Sequence, residues 1–233
     1  AKINQTDHAQ GHICPDTRDW LARGPRAIRE DLLARGEGAE PGKRDFYRGL
    51  AIALAGAIDF IERYATLAER MAASDAANRA NLVEVARICR KLASEPPSTF
   101  REAVQSTWFL FALLHAESNA SSFSPGRADQ YLHPYYRADL DAGALDRAGA
   151  LELVEALWLK FNQIVYLRNS NSARYFAGFP IGFNVAIGGL DEYGEDASNE
   201  LSFLFLKAQA HIGLPQPNLS ARLSEKSSEA FVR

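Results

Sequence analysis

Gly11-His12-Ile13-Cys14-Pro15-Asp16 places a cysteine beside a histidine and just ahead of a helix start. A thiol so placed becomes a nucleophile if His12 or the N-terminus of the helix opening at Asp16 favours its thiolate. The competing reading is a small buried residue at a strand end, the commoner use of a free cysteine, and it is the favoured one. His12, a lone imidazole beside glycine, reads first as a satisfied structural histidine. Ser121 and Ser122 follow Glu117-Ser118-Asn119 at the end of an apolar helix. Hydroxyls there either satisfy terminal backbone groups or face a ligand, and the two readings stand level. Arg127 and Asp129 have the look of catalytic charges, but a spacing of two puts them on different faces of a helix. They are expected to pair with other groups and brace the turn. Cys89, on a helical stripe between Ala86 and Leu92, reads as core. Gly188-Gly189 lacks the further glycines or the Lys-Ser ending of a phosphate loop, so it reads as a turn after a strand.

The elements that must position these groups are mostly helical. Asp16 caps a helix carrying Trp20, Leu21, Ile28, Leu32 and Leu33, interrupted at Gly24-Pro25 and ended by Gly36-Glu37-Gly38. From Lys43 to Ala73, Phe46, Tyr47, Leu50, Leu54, Ala57, Ile58, Ile61, Leu67 and Met71 keep a three-four spacing that predicts one long amphipathic helix. The stripe resumes at Leu82, Val85, Ala86, Cys89 and Leu92 and stops at Pro96-Pro97. Ser98 with Glu102 opens a helix whose apolar face is Trp108 to Leu114. Helices are expected over Arg127 to Asp139, broken at Pro134, over Asp146 to Leu167 and over Asp196 to Ile212. Phe183 to Ile187 is short, partly β-branched and bounded by glycines, so it predicts a strand, and Ser224 reads as the cap of a last helix. The fold class by pattern is mainly α with one or two strands, in one continuous unit without repeats or linkers.

At 233 residues with 47% hydrophobic content, the chain has enough apolar mass for one sizeable core. A net charge of −3 with mixed signs excludes the clustered basic face that nucleic acid requires. No apolar run approaches the roughly 18 residues of a membrane span. Two cysteines in unrelated settings form neither a metal spacing nor a disulfide framework, so no metal is expected and a reducing cytoplasm is the expected location.

Four ordered segments carry a family resemblance. They are Gly11-His12-Ile13-Cys14-Pro15-Asp16, Glu117 to Tyr136 with Pro125-Gly126-Arg127-Ala128-Asp129-Gln130-Tyr131, Phe179 to Gly189, and Leu214-Pro215-Gln216-Pro217-Asn218-Leu219-Ser220-Ala221-Arg222. Together with Arg44-Asp45-Phe46-Tyr47 they resemble glycyl radical enzymes of the pyruvate formate-lyase superfamily, in the branch of the diol dehydratases, choline lyase and isethionate sulfite-lyase. The resemblance implies an α/β barrel of about ten strands wrapped by helices, with residues 1–233 a single N-terminal-half fragment of it. The absence of an initiator Met and an end inside an expected helix agree with a fragment. Neither cysteine lies in the family's Gly-Cys-x-Glu loop, and the radical-glycine domain is absent. The resemblance therefore puts no catalytic residue here, and the fragment alone is expected to be inactive.

What the resemblance does place here is substrate binding, at Gln5, His12, Ser121, Ser122 and Phe123. In isethionate-cleaving members an Arg and a Gln a turn apart hold the sulfonate; Gln5 is present, and Ala1 stands where the Arg would be, with Lys2 and Asn4 nearby. In diol-dehydrating members a His-Ser pair binds the hydroxyls; here Ser121 replaces the His, which makes the pocket roomier. The expected function is a glycyl radical lyase on a small hydroxylated substrate. C–S cleavage of isethionate or a related hydroxy-sulfonate is favoured by Ser121 and by the run Asn169 to Pro180. A glycerol or propane-1,2-diol dehydratase is the alternative, and a non-catalytic helical interaction module is the alternative of another class. No bound cofactor is implied, only a protein glycyl radical installed by a radical SAM activating enzyme. The implied partners are that enzyme, a small-molecule substrate and a second copy in a homodimer, with no nucleic acid and no membrane.

Overall fold

The computed structural model describes residues 11–118, 122–164, 174 and 182–233. Gln5, Ser121, Val165, Leu167 and, apart from Arg174, the run Asn169 to Pro180 therefore lie outside the described residues. Arg18–Ser98 forms one compact unit, and the described parts of Ala1–Thr17 and Thr99–Arg233 form another.

The first unit is helical. Helix α1 (Thr17–Gly36) breaks at Gly24, whose φ of 72° and ψ of 164° are not helical, just before Pro25. A β-carbon on Gly24 would stand 3.3 Å from the Glu95 carbonyl and the Pro96 nitrogen, so both backbone angle and space call for glycine. Helix α2 (Pro41–Ser74) opens on a proline, whose missing N–H costs nothing in a first turn. A short turn after Ser74 leads into α3 (Arg79–Leu92), which packs on α2 as a helical hairpin. The buried face of α2 is Ala51, Ala57, Ile58, Ile61, Ala65, Ala68 and Ala72, against Ala86, Ile88, Cys89 and Leu92 of α3. The apolar stripe read from the sequence is thus only partly the buried one. Phe46, Leu50, Leu67 and Met71 are exposed, because the alanine face lets the two backbones approach and wins the contact.

The second unit carries the strands. Helix α4 (Phe100–Ser118) is followed by α5 (Ala128–Tyr131) and α6 (His133–Asp141), with the break at Leu132 and Pro134 in the first turn of α6. Helix α7 (Arg147–Phe161) is capped by Asp146, whose carboxylate accepts from the Gly149 N–H at 2.7 Å. Strand β1 (Asn184–Gly188) leads to α8 (Glu200–Ile212), β2 (Asn218–Arg222) and the short α9 (Glu229–Val232). The expected start of α8 at Asp196 moves to Glu200, because Asn199 caps it and accepts from the Leu201 and Ser202 N–H groups. The last helix is preceded by Ser228 rather than Ser224; Ser224 closes a turn with Ser227 instead.

β1 and β2 pair in parallel from Asn184↔Asn218 to Gly188↔Arg222. Two single bridges, both parallel, extend the ladder: Gly126↔Val185 and Ile13↔Phe123. The order is therefore Ile13, Phe123 to Gly126, β1, β2, each neighbour reached by a helical crossover, as parallel pairing requires. The core beside it is aromatic. Phe161 meets Phe111 and Phe183 edge to face at 5.9 and 5.0 Å, and Trp158 meets Phe205 edge-on at 5.0 Å while donating to Gln209 at 2.8 Å. Among the described residues no helix is long and apolar enough to cross a membrane.

Candidate functional site

Two of the five proposed substrate contacts share an uncommon backbone. His12 (φ 57°) and Ser122 (φ 62°) are the described non-glycine residues in the left-handed region. Such a conformation costs roughly 1–3 kcal/mol in an ordinary residue and persists only where its surroundings impose it. Both precede bridged residues: Ile13 pairs with Phe123, and the Ser124 N–H donates to the Ile13 carbonyl at 2.8 Å. His12 and Ser122 are thus brought to the same end of adjacent parallel segments. The third segment is entered the same way, through Gly182 at φ 75°, and a β-carbon there would lie 3.6 Å from the Ser122 hydroxyl. Phe123, which follows Ser122, is 3% exposed and packs toward α4, edge to face with His115.

The aromatic core on the helix side of the ladder holds a polar group, an isolated histidine in an apolar stretch of the sequence. His115, on the buried face of α4, packs edge to face on Phe123 at 5.0 Å and on Phe183 at 6.4 Å. Its Nδ1 lies 2.7 Å from the Phe111 carbonyl, one turn back. A carbonyl only accepts, so the proton sits on Nδ1 and Nε2 is a bare acceptor. Nε2 is buried and has no hydrogen-bond partner. Burial lowers the pKa of the imidazole, outweighing the opposing pull of the Phe111 carbonyl, and favours the neutral ring. The available signal was a single imidazole at the end of Trp108 to Leu114.

Arg127 and Asp129 grip the end of β1. The guanidinium donates to the Gly188 carbonyl at 2.7 Å and to the Leu190 carbonyl at 2.9 Å. One carboxylate oxygen of Asp129, fully buried, accepts from the Gly188 N–H at 2.7 Å and the Ser202 hydroxyl at 2.6 Å. Burial nevertheless raises the Asp129 pKa, those hydrogen bonds opposing it. The pair ties α5, β1 and α8 together.

Cys14 is exposed, not buried as expected, because its segment is joined to the ladder by the single bridge at Ile13. Partial desolvation, followed by the Asp16 carboxylate, raises its thiol pKa, the opposite of what a nucleophile needs. Its sulfur lies against Gly126, where a β-carbon would come within 2.5 Å. Cys89 is 1% exposed and burial pushes its thiol to about 11. Among the described residues no group of three His, Cys, Asp or Glu side chains could hold a metal ion.

The family model described as pyruvate formate lyase-like matches residues 2–233. The Escherichia coli (strain K12) protein named "Probable dehydratase YbiW" is 38% identical over 193 residues, 80% of this chain and 24% of its own length. The isethionate sulfite-lyase of Nitratidesulfovibrio vulgaris (strain Hildenborough) is 33% identical over 243 residues, 99% of this chain and 29% of its own. A solved structure concerning 1,2-propanediol dehydration in Roseburia inulinivorans superposes with a TM-score of 0.90 at 38% identity, covering 95% of this chain and 28% of that one. The chain thus spans 24–29% of the length of these relatives.

Proposed function

We propose that this chain, which belongs to the pyruvate formate lyase-like family, is the substrate-binding part of a glycyl radical lyase acting on a small hydroxylated compound. The carrying observation is the pair of left-handed residues, His12 and Ser122, side by side at one end of the parallel ladder. Strain of that kind collects where side chains are held for a ligand. The ladder with its helical crossovers is read as the opening part of the enzyme's barrel wall. Radical chemistry is supplied by a glycyl radical and a cysteine outside these residues, the radical being installed by a radical SAM partner. The residues described here orient the substrate hydroxyl and keep water from it, and a second copy completes a homodimer.

The finer reading is C–S cleavage of isethionate or a related hydroxy-sulfonate. It is supported by the serine at position 121 and by the 33% identity with an isethionate sulfite-lyase across nearly the whole chain. Diol dehydration is the second reading, supported by the 38% identity with the propanediol-dehydrating structure. The intact protein, activated anaerobically by its radical-installing partner, is to be assayed for sulfite from isethionate and for aldehyde from propane-1,2-diol. Isethionate is expected to be the better substrate, and Ser121→His to shift the ratio of efficiencies toward the diol. Preference for the diol in the wild type moves the assignment to the dehydratase. Turnover of neither compound, nor of any other small hydroxylated compound, overturns the lyase reading.

A further inference from the structure

The ladder has two faces of different character. Val185 and Ile187 of β1 are fully buried on the helix side, with Phe123 and Phe183. Asn184 stands on the other face, where β2 sets Asn218 and Ser220 in register beside it, and all three are exposed. Parallel strands packed on both faces carry near-continuous apolar runs, so this face is made for a polar occupant and not for a second apolar layer. Alternation along the chain puts Asn184 on the face of Ser122 and Gly182, two residues and about 7 Å beyond Gly182. A compound of two or three carbons with a polar group at each end bridges that span once a hydrogen bond is made at either end.

Asn184 is held from both sides. Its N–H donates to the Ser124 hydroxyl at 3.1 Å, and its carbonyl accepts from the Gly126 N–H at 3.3 Å. On the β2 side the Ser220 hydroxyl donates to the side-chain Oδ1 at 2.8 Å. With Oδ1 engaged, Nδ2 is the end of the amide left to a ligand, and it offers two N–H donors without a charge. We infer that Nδ2 of Asn184 donates to an oxygen at the end of the substrate remote from the hydroxyl held at Ser122, a sulfonate oxygen in isethionate or the second hydroxyl in a diol. Asn184 is then a specificity-determining residue, and Ser220 is the residue that positions it. The inference rests on the substrate-binding reading above and deepens it.

The test is calorimetry on the intact, unactivated protein, which binds without turning over, with isethionate and propane-1,2-diol as ligands. Asn184→Ala is expected to weaken both by about tenfold. Asn184→Asp keeps the acceptor for Ser220 and puts a carboxylate oxygen where Nδ2 was. A sulfonate has no hydrogen to give it and is repelled, so isethionate should weaken by at least about a hundredfold. A diol hydroxyl turns and donates to it, so the diol should stay within about tenfold of the wild type. Ser220→Ala should weaken both ligands by about two- to fivefold in the wild type and by nothing further in the Asn184→Ala background, the mark of a residue that acts through the amide. This cycle also serves if the Asp variant does not fold. Equal losses of the two ligands in Asn184→Asp mean that the strand is damaged in general, and overturn the inference. A full Ser220→Ala loss in the Asn184→Ala background overturns the positioning role. Wild-type affinities in all the variants overturn the whole inference and leave the substrate-binding reading standing. A wild type that binds neither ligand sinks that reading, and this inference with it.

Discussion

Replacing Asp129 separates the shape of a buried acceptor from its charge. One oxygen of this fully buried carboxylate takes both the Gly188 N–H and the Ser202 hydroxyl, at 2.7 and 2.6 Å. Asp129→Leu leaves both donors buried without a partner, at roughly 1–3 kcal/mol each, or about 2–6 kcal/mol together. Asp129→Asn keeps an oxygen in that place, and its amide nitrogen falls where the other carboxylate oxygen already lacks a partner. The Asn variant is therefore expected within about 1 kcal/mol of the wild type. The pH dependence carries a sign. Burial raises the folded-state pKa of Asp129, so its contribution is fully present below the unfolded value of about 3.9 and is lost as pH rises through the folded value. Asp129→Asn lacks that loss, so its stability relative to the wild type should improve between about pH 4 and neutrality. Urea unfolding of the intact protein, with unchanged slopes as the check on the denatured state, measures both effects. An Asn variant as damaged as the Leu variant would refute the reasoning, because the charge itself would then be what holds β1.

Two further perturbations test contacts beside the site. Gly126→Ala puts a β-carbon 2.5 Å from the Cys14 sulfur at a φ of 67° and should cost roughly 1–3 kcal/mol; adding Cys14→Ala should recover the steric share but not the backbone strain, as read by urea unfolding. His115 has a folded-state pKa lowered by burial, so its contribution is present above the unfolded value of about 6.5 and is lost as pH falls through it toward the folded value. The loss of stability between pH 7 and pH 5 should accordingly be smaller in His115→Phe than in the wild type; equal slopes would contradict a neutral buried ring.

Helix positions were legible where one period dominated. The spacing over Lys43 to Ala73 marks α2 (Pro41–Ser74) to within two residues at its start and one at its end. Which face it buries was not legible, because two apolar stripes share that helix and the one with alanines packs more closely. Pro134 showed the α5–α6 break correctly, since a proline fits a first turn and not an interior. The strand expected at Phe183 to Ile187 is shifted by one residue, to Asn184–Gly188. β2 has no apolar run to announce it: Asn218-Leu219-Ser220-Ala221-Arg222 is mostly exposed and is a strand only because β1 lies beside it. At the site, motif resemblance pointed to His12, Ser122 and Phe123, yet their proximity is long-range pairing that no local pattern encodes. The burial of His115 beside Phe123 and Phe183 was not legible either, because an isolated histidine in an apolar stretch carries no local signal of its partners. Cys14 was misjudged on burial because a single bridge leaves its neighbour on the ladder uncovered.

The central claim is that a hydroxylated ligand binds at the end of the ladder where His12 and Ser122 meet. A crystal structure of the intact, unactivated protein with isethionate or propane-1,2-diol bound tests it most directly. The account predicts the ligand hydroxyl within hydrogen-bonding distance of the His12 and Ser122 side chains. A ligand seated elsewhere, with the left-handed turns at His12 and Ser122 closed over by protein, would contradict it.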